Sequence, residues 1–464
     1  MRNKAFLAIL LAVLLFSLIA MGDPYDPAGA AAASEDETAR GEESITLDKQ
    51  ILVIETNVSA IMDRGSREFF GYHPVTDEFF FFVVKSYGED VLKKIVENRD
   101  YSDPEVWYRI TGKSIHVLYD EYVSYVGIDA WDYSHVHHLE NDGRDVDFVF
   151  TGDVTIHEGA ATTNHLEESE HGISDCFSPE LLEIMQGADV LVVNNEFCYS
   201  TGGEPTPGKD YTFRADPKRV EALKEMGTDL ACLANNHVFD YGETALSDTL
   251  KTLKDAGVPY IGAGENLREA ERIQYYIAGG RKIAIVNATQ IERSTTFTRE
   301  ATAEVSGVFK TLNPDNCVRA IERAKRNADL CIVEVHWGTE GNEYYGGDQV
   351  ALAEAYVGAG ADAIVGGHTH CLEGIEYMGD VPIYYSLGNY WFSTSANMPD
   401  DYDTGLAVLT VTQEGKIVPS FVPAHFHEAK TSLSTGDEAE RIYSHLEEIS
   451  QTTAITGKGK IKRR

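Results

Sequence analysis

Ala361-Asp362-Ala363-Ile364-Val365-Gly366-Gly367-His368-Thr369-His370 is the stretch on which the reading of this chain turns. The apolar run that ends at Val365 has the length of a short buried strand. Two glycines then loosen the backbone, and two imidazoles follow with one residue between them. Histidines so spaced at a strand end can converge on one cation. The neutral ring is the commonest protein metal ligand and suits Zn, Fe, Mn or Ni. The glycines let the backbone approach an ion or oxyanion with no Cβ in the way. A lone His-x-His is weak evidence, because surface and core histidines are common. Its weight depends on the residues that accompany it.

Working outward, the chain from residue 146 onward alternates strand-like and helix-like segments. Strands are predicted over 146–150, 188–193, 230–233, 283–286, 330–335 and 382–385. Helices are predicted over 217–226, where Pro217 suits a first turn, over 315–327 and over 349–357. Another helix carries Leu246, Leu250 and Leu253 and stops at Gly257. The polar clusters fall just after the strands: Asp153, Glu196, Asn235-Asn236-His237, His336 and then His368 and His370. In α/β sheets ligands bind outside the carboxyl ends of strands. Asp153, Glu196, Asn236, His237, His336, His368 and His370 are therefore candidates to meet at one edge. Taken singly, each has an ordinary explanation: Asp153 as a turn cap, Asn235 or Asn236 as loop braces, His237 as the first residue of a helix. Taken together they form a mixed oxygen and nitrogen set without thiolates. Such a set fits a structural zinc site poorly and suits Mn, Fe or Zn in a catalytic role. It is large enough for two ions.

Composition sets the frame. The chain has 464 residues, 43% hydrophobic and 10% aromatic, which is a globular composition with room for more than one unit. A formal charge of −36 argues against nucleic acid and anionic membrane surfaces as partners. Arg2 and Lys4 precede an apolar run over 5–21, so residues 1–22 read as a signal peptide or membrane anchor. The body of the protein would then lie outside, secreted or held at the cell surface. Residues 23–44, rich in Ala, Gly, Pro and acid, read as a flexible tether. Residues 45–145 read as an accessory region without a catalytic motif. In it, Tyr119, Tyr122 and Tyr125 suggest a packing stripe, and His135, His137 and His138 a solvated loop. The main domain spans 146–425. A C-terminal helix and basic tail fill 426–464, with 458–464 expected to be disordered. The six cysteines contain no Cys-x-x-Cys pair, and Cys232 and Cys331 read as buried hydrophobes.

The ordered series Thr151-Gly152-Asp153, Asn194-x-Glu196, Ala234-Asn235-Asn236-His237 with Asp240-Tyr241-Gly242, His336-Trp337-Gly338-x-Glu340, Gly366-Gly367-His368-x-His370 and Tyr385-Ser386-Leu387-Gly388-Asn389-Tyr390 resembles the CapA family of poly-γ-glutamate capsule biosynthesis proteins. That resemblance covers roughly residues 146–425 and implies an α/β fold. The family is similar to the calcineurin-like metallophosphoesterases, a four-layer α/β/β/α sandwich, here with an additional N-terminal segment. It implies metal ligands at Asp153, Glu196, Asn236, His336, His368 and His370, with Glu196 where the phosphoesterases place a bridging Asp. The pattern departs at Thr155, where a histidine is expected; His157 lies two positions further on. One tightly held divalent ion with a weaker second is the resulting expectation. In a catalytic site His237 would act as general acid, oriented by Asp240. Asn235, Glu340 and Asn389 are candidates for the substrate side. The resemblance implies a role in synthesis or export of poly-γ-glutamate or another cell-envelope polymer, with a membrane-bound synthesis complex as partner. The alternatives are a stand-alone surface phosphoesterase acting on small phosphoesters, and a non-catalytic metal-containing scaffold that binds polymer.

Overall fold

The computed structural model describes residues 144–278, 281–292, 297–395 and 401–464, with the helix Pro104–Thr111, the strand Val136–His138 and some neighbouring positions between 83 and 139. The expected export segment, the tether, His135 and the stripe of Tyr119, Tyr122 and Tyr125 lie outside the described residues. Among the described residues no helix is long and apolar enough to cross a membrane.

Two large sheets carry the molecule. Their strands are β1 (Val136–His138), β2 (Val146–Val154), β3 (Val190–Asn195), β4 (Leu230–Cys232), β5 (Tyr260–Ile261), β6 (Gln274–Ala278), β7 (Arg281–Thr289), β8 (Leu330–His336), β9 (Ala363–Gly367), β10 (Ile375–Met378), β11 (Val381–Tyr384), β12 (Asn389–Trp391), β13 (Asp401–Val411), β14 (Ile417–His427) and β15 (Lys430–Leu433). The eight-stranded sheet runs β15-β14-β13-β2-β3-β4-β5, with β12 also paired to β2. The seven-stranded sheet runs β1-β6-β7-β8-β9-β11-β10. At the centre of each sheet the strands are parallel: β2, β3, β4 and β5 in the first, β7, β8, β9 and β11 in the second.

Side-chain alternation explains the layering. Successive residues of a strand point to opposite faces. Phe148 and Phe150, Val190 and Val192, Ile283 and Ile285, Leu330 and Ile332, and Ala363 and Val365 share one core between the two sheets. Their alternates Val149, Leu191 and Val193 pack outward beneath the helices Pro179–Gln186, Val220–Met226 and Gly242–Ala256. Ala284, Val286, Cys331, Val333 and Ile364 pack outward beneath Asp315–Asn327 and Gly347–Ala359. Buried on both faces, such strands read as near-continuous apolar runs. The result is the expected α/β/β/α sandwich. The predicted helix over 315–327 coincides with the observed one, and Gly257 ends its helix in the left-handed region, φ 73°.

Three expectations differ from the structure. Val136–His138, expected in a solvated loop of the accessory region, is an edge strand parallel to β6. Val136 and Leu139 flank the histidines and pack against the outer and inter-sheet cores, which pins that strand. The expected domain end at 425 falls inside β14, which continues to His427 and pairs with β15. The basic tail expected to be disordered forms a hairpin, Thr453–Ile455 against Ile461–Arg463. Ile455 and Ile461 enter the inter-sheet core, so their apolar area outweighs the charge of the lysines between and after them. The six cysteines are all free thiols, and Cys232 and Cys331 are buried as expected.

Candidate metal centre

The parallel strands of both sheets deliver their carboxyl ends to one place. Asp153 comes from the end of β2, Asn194 from the end of β3 and Glu196 from just after it, Asn236 and His237 from the turn after β4. His336 ends β8, His368 and His370 follow β9, and Asn389 opens β12. Asn389 lies in register with Asp153 across the β12–β2 pairing.

His336 is the hub. Its Nε2 lies 2.8 Å from Asn236 Oδ1, 3.1 Å from His368 Nδ1 and 3.3 Å from Glu196 Oε1. Its Nδ1 faces the Asn194 amide at 3.3 Å and Asp153 Oδ1 at 4.0 Å. His370 Nδ1 lies 3.3 Å from Asp153 Oδ2 and 2.7 Å from Asn389 Oδ1. Two sets of donor atoms come close enough to share an ion: Glu196, His336 and His368, and Asp153, Glu196 and His370. Glu196 belongs to both.

Whether these residues fit a cation is answered by Glu196. The residue is fully buried, and neither carboxylate oxygen has a hydrogen-bond partner. An unpaired buried carboxylate is costly. Burial, reinforced by the charge of Asp153, pushes its carboxyl well above the ordinary range. A divalent ion would satisfy both oxygens, so the donor set fits one.

The surrounding charges are graded. Burial works to raise Asp153, but the hydrogen bond from His370, the charges of His336 and His370 and the Asn194 amide hold it below its usual value. Burial lowers His336 to about 4 and His368 well below the ordinary value, the latter helped by neighbouring imidazoles, so both rings are neutral. His370 goes the other way: burial lowers it, but Asp153 and Glu196 together raise it to about 9.

The turn after β9 is strained in order to aim its rings. His368 and His370 both have positive φ, 95° and 58°. Such backbone costs about 1–3 kcal/mol per residue and persists where the surroundings over-determine it. The glycines serve close packing. A Cβ on Gly366 would lie 2.1 Å from the Tyr385 carbonyl oxygen, and one on Gly367 would lie 2.7 Å from Asp153 Oδ1.

His237 is oriented by Asp240 as anticipated, its Nδ1 lying 2.7 Å from Oδ2. Asp240 Oδ2 also accepts the Phe213 backbone N–H at 2.6 Å, and Oδ1 pairs with Lys209 Nζ at 2.8 Å. Burial and the Lys209 charge depress His237 well below its ordinary value. It therefore rests as a neutral ring with Nδ1–H on Asp240 and Nε2 3.9 Å from Glu196.

Two residues read as candidates for the substrate side make hydrogen bonds within the protein. Asn235 is fully buried. Its amide donates to Asn194 Oδ1 and the Asn195 carbonyl, and its Oδ1 accepts the N–H groups of His237 and Val238, so it braces the ligand turn. Asn389 holds the His370 ring. Glu340, with its side chain 61% exposed, stands at the rim 4.0 Å from His368 Nε2. Thr155 and His157 hydrogen-bond each other at 3.0 Å. His157 stacks on Phe213, which stacks on His237, at centroid distances of 4.2 and 4.1 Å. His157 thus supports the site from behind and does not replace the missing ligand. Sequence reasoning passed over three contributors: Asn194 as a bridge from Asp153 to His336, Phe213 between two imidazoles, and Lys209. The Asn194-Asn195-Glu196 cluster at a strand end signalled the first. Lys209 and Phe213 lie in an irregular loop whose sequence carries no periodic signal.

An α/β/β/α sandwich with a buried His, Asp, Glu and Asn cluster at the carboxyl ends of its strands defines a metallophosphoesterase-like protein. The family described as bacterial capsule synthesis protein PGA_cap matches residues 147–394, and the chain belongs to that family. The chain is 33% identical over 255 residues, 54% of its own length and 61% of the relative's, to a capsule biosynthesis protein CapA of Bacillus anthracis. It is 35% identical over 185 residues, 40% of this chain and 48% of the relative, to a PGA biosynthesis protein CapA of Bacillus subtilis (strain 168). A probable polyglutamine synthesis accessory protein of Mycobacterium tuberculosis is 27% identical over 299 residues, 60% of this chain and 77% of the relative. The matched region thus spans less than two thirds of either CapA relative.

Proposed function

We propose that the protein serves the synthesis or export of poly-γ-glutamate or a related cell-envelope polymer, and that its buried cluster is a divalent-metal centre for phosphoester-type hydrolysis. The names of the relatives support the first part. The second rests on Glu196, whose two unpartnered oxygens sit between two donor sets. Asp153, Glu196 and His370 would hold one ion, and Glu196, His336, His368 and Asn236 the other; Mn, Fe and Zn all suit this set. Bound there, a divalent ion supplies Lewis-acid polarisation and neutralises charge that develops on a phosphoryl or acyl oxygen. His237 takes up a proton at Nε2 and can return it to a departing group, while Asp240 fixes the ring. Residues 1–22 support a location outside the cell, anchored or secreted.

The test is hydrolysis of an aryl phosphate by the full chain with added Mn²⁺, set against His368→Ala. Loss of at least 100-fold in rate in the variant, at equal protein stability, supports the hydrolase. Tight metal binding with no turnover of any phosphoester would overturn the catalytic part and leave a metal-containing polymer-binding scaffold.

A further inference from the structure

Lys209 is a buried cation beside a candidate cation site, and that placement needs a reason. Its side chain is 6% exposed. An ammonium taken out of water costs several kcal/mol unless paired. Asp240 at 2.8 Å and Glu292 at 3.0 Å pair it. Its third contact is to the backbone carbonyl of Asn236, the residue whose side chain meets His336. That same carbonyl accepts Thr298 Oγ1 at 3.0 Å, and Thr298 Oγ1 also reaches Glu292 Oε2 at 3.0 Å. Lys310 Nζ donates to the Glu292 carbonyl at 2.6 Å. Three separate stretches are joined here: the loop after β3, the turn after β4, and the segment after β7, which rises from the opposite sheet.

We propose that Lys209 is a positioning residue of the metal centre, tying Asp240, Glu292 and the Asn236 carbonyl together so that the Asn236-His237 turn is held across the two sheets in ligating geometry. This rests on the metal reading above. It makes a prediction of opposite sign to the simplest electrostatic account. A fixed positive charge near a cation repels it, so removing Lys209 for charge alone would tighten cation binding. Removing a tether that orients a ligand weakens binding, by about 10–100-fold where outer contacts of ligands have been removed.

The experiment is calorimetric titration of the full chain with Mn²⁺ alone, at fixed pH and ionic strength, for wild type, Lys209→Met, Lys209→Arg and Thr298→Val, each checked for folding by circular dichroism. Expected are at least tenfold weaker binding in Lys209→Met, partial recovery in Lys209→Arg, and a smaller loss in Thr298→Val. Thr298→Val removes the hydroxyl on the Asn236 carbonyl without changing any charge, so it decides the matter should Lys209→Met fail to fold: weaker Mn²⁺ binding supports the tether, and unchanged binding overturns it. Unchanged or tighter binding in a folded Lys209→Met, or in Thr298→Val if that alone folds, overturns this inference and leaves the metal centre standing. No Mn²⁺ binding by wild type overturns both.

Discussion

Glu196 shows how one side chain reports the purpose of its surroundings. A buried carboxylate without a hydrogen bond is an expense that folding does not otherwise offset. Without a cation, burial and the Asp153 charge bias Glu196 toward its protonated form, and His370, raised to about 9, holds a proton at neutral pH. His336 and His368, both lowered, hold none to release. Cation binding must therefore expel a proton from His370, and the shift on Glu196 acts in the same direction, so affinity should rise with pH. Between pH 6 and 8 we expect a gain of up to about tenfold per pH unit for each proton expelled. Calorimetry in buffers of different ionisation enthalpy would count those protons, and a flat pH profile would contradict the assignment. The polar residues of the cluster and their order were legible in the sequence because each stands at or just after the end of an apolar strand. The partners of Asn235 and Asn389 were not: an asparagine at a strand end looks the same whether it faces a substrate or a neighbouring side chain.

At the level of elements, the turn after β9 carries most of the precision. Its two histidines accept positive φ, and Gly367 leaves room for the Asp153 carboxylate. Gly367→Ala should push Asp153 Oδ1 aside while leaving the strand intact. The expected result is a metal affinity lower by about 10–100-fold with a modest fall in stability, about 1–3 kcal/mol for the added methyl group. Metal titration together with thermal unfolding separates the two, and a variant that binds like wild type would show that Asp153 can move freely. The Gly-Gly-His-x-His signature announced this turn, but the approach of the Asp153 carboxylate to the second glycine is a long-range contact that no local pattern encodes. The C-terminal hairpin was obscured for a different reason. Lysines and arginines dominate its composition, while two isoleucines decide its placement.

For the whole molecule, the two sheets form a scaffold in which ligands from both converge on one centre. A divalent ion held there, as proposed, would tie β2, β3 and the turn after β4 in one sheet to β8 and β9 in the other. Ligand that binds only the folded state stabilises it by about 2.7 kcal/mol at a hundredfold excess over Kd. Thermal unfolding with Mn²⁺ and after chelation should therefore show a higher melting temperature with the ion, and no such rise in Glu196→Ala. The layered class was legible because strand and helix periods alternate so regularly. The edges were not, since β1 and the terminal hairpin are too short to show a period and are fixed by long-range packing.

The register of Asn389 beside Asp153 also bears on how the chain acquires its shape. β2 is one of the first strands of the sandwich, yet the strands on its other flank, β12 and β13, are among the last to be made. Closing so long a loop before its contacts can repay the entropy makes folding slow. A nascent chain that ends before residue 389 leaves one edge of β2 unpaired and lacks the asparagine that holds His370. The cluster is therefore completed late, by the arrival of the C-terminal strands, and its assembly marks a chain synthesised past that point.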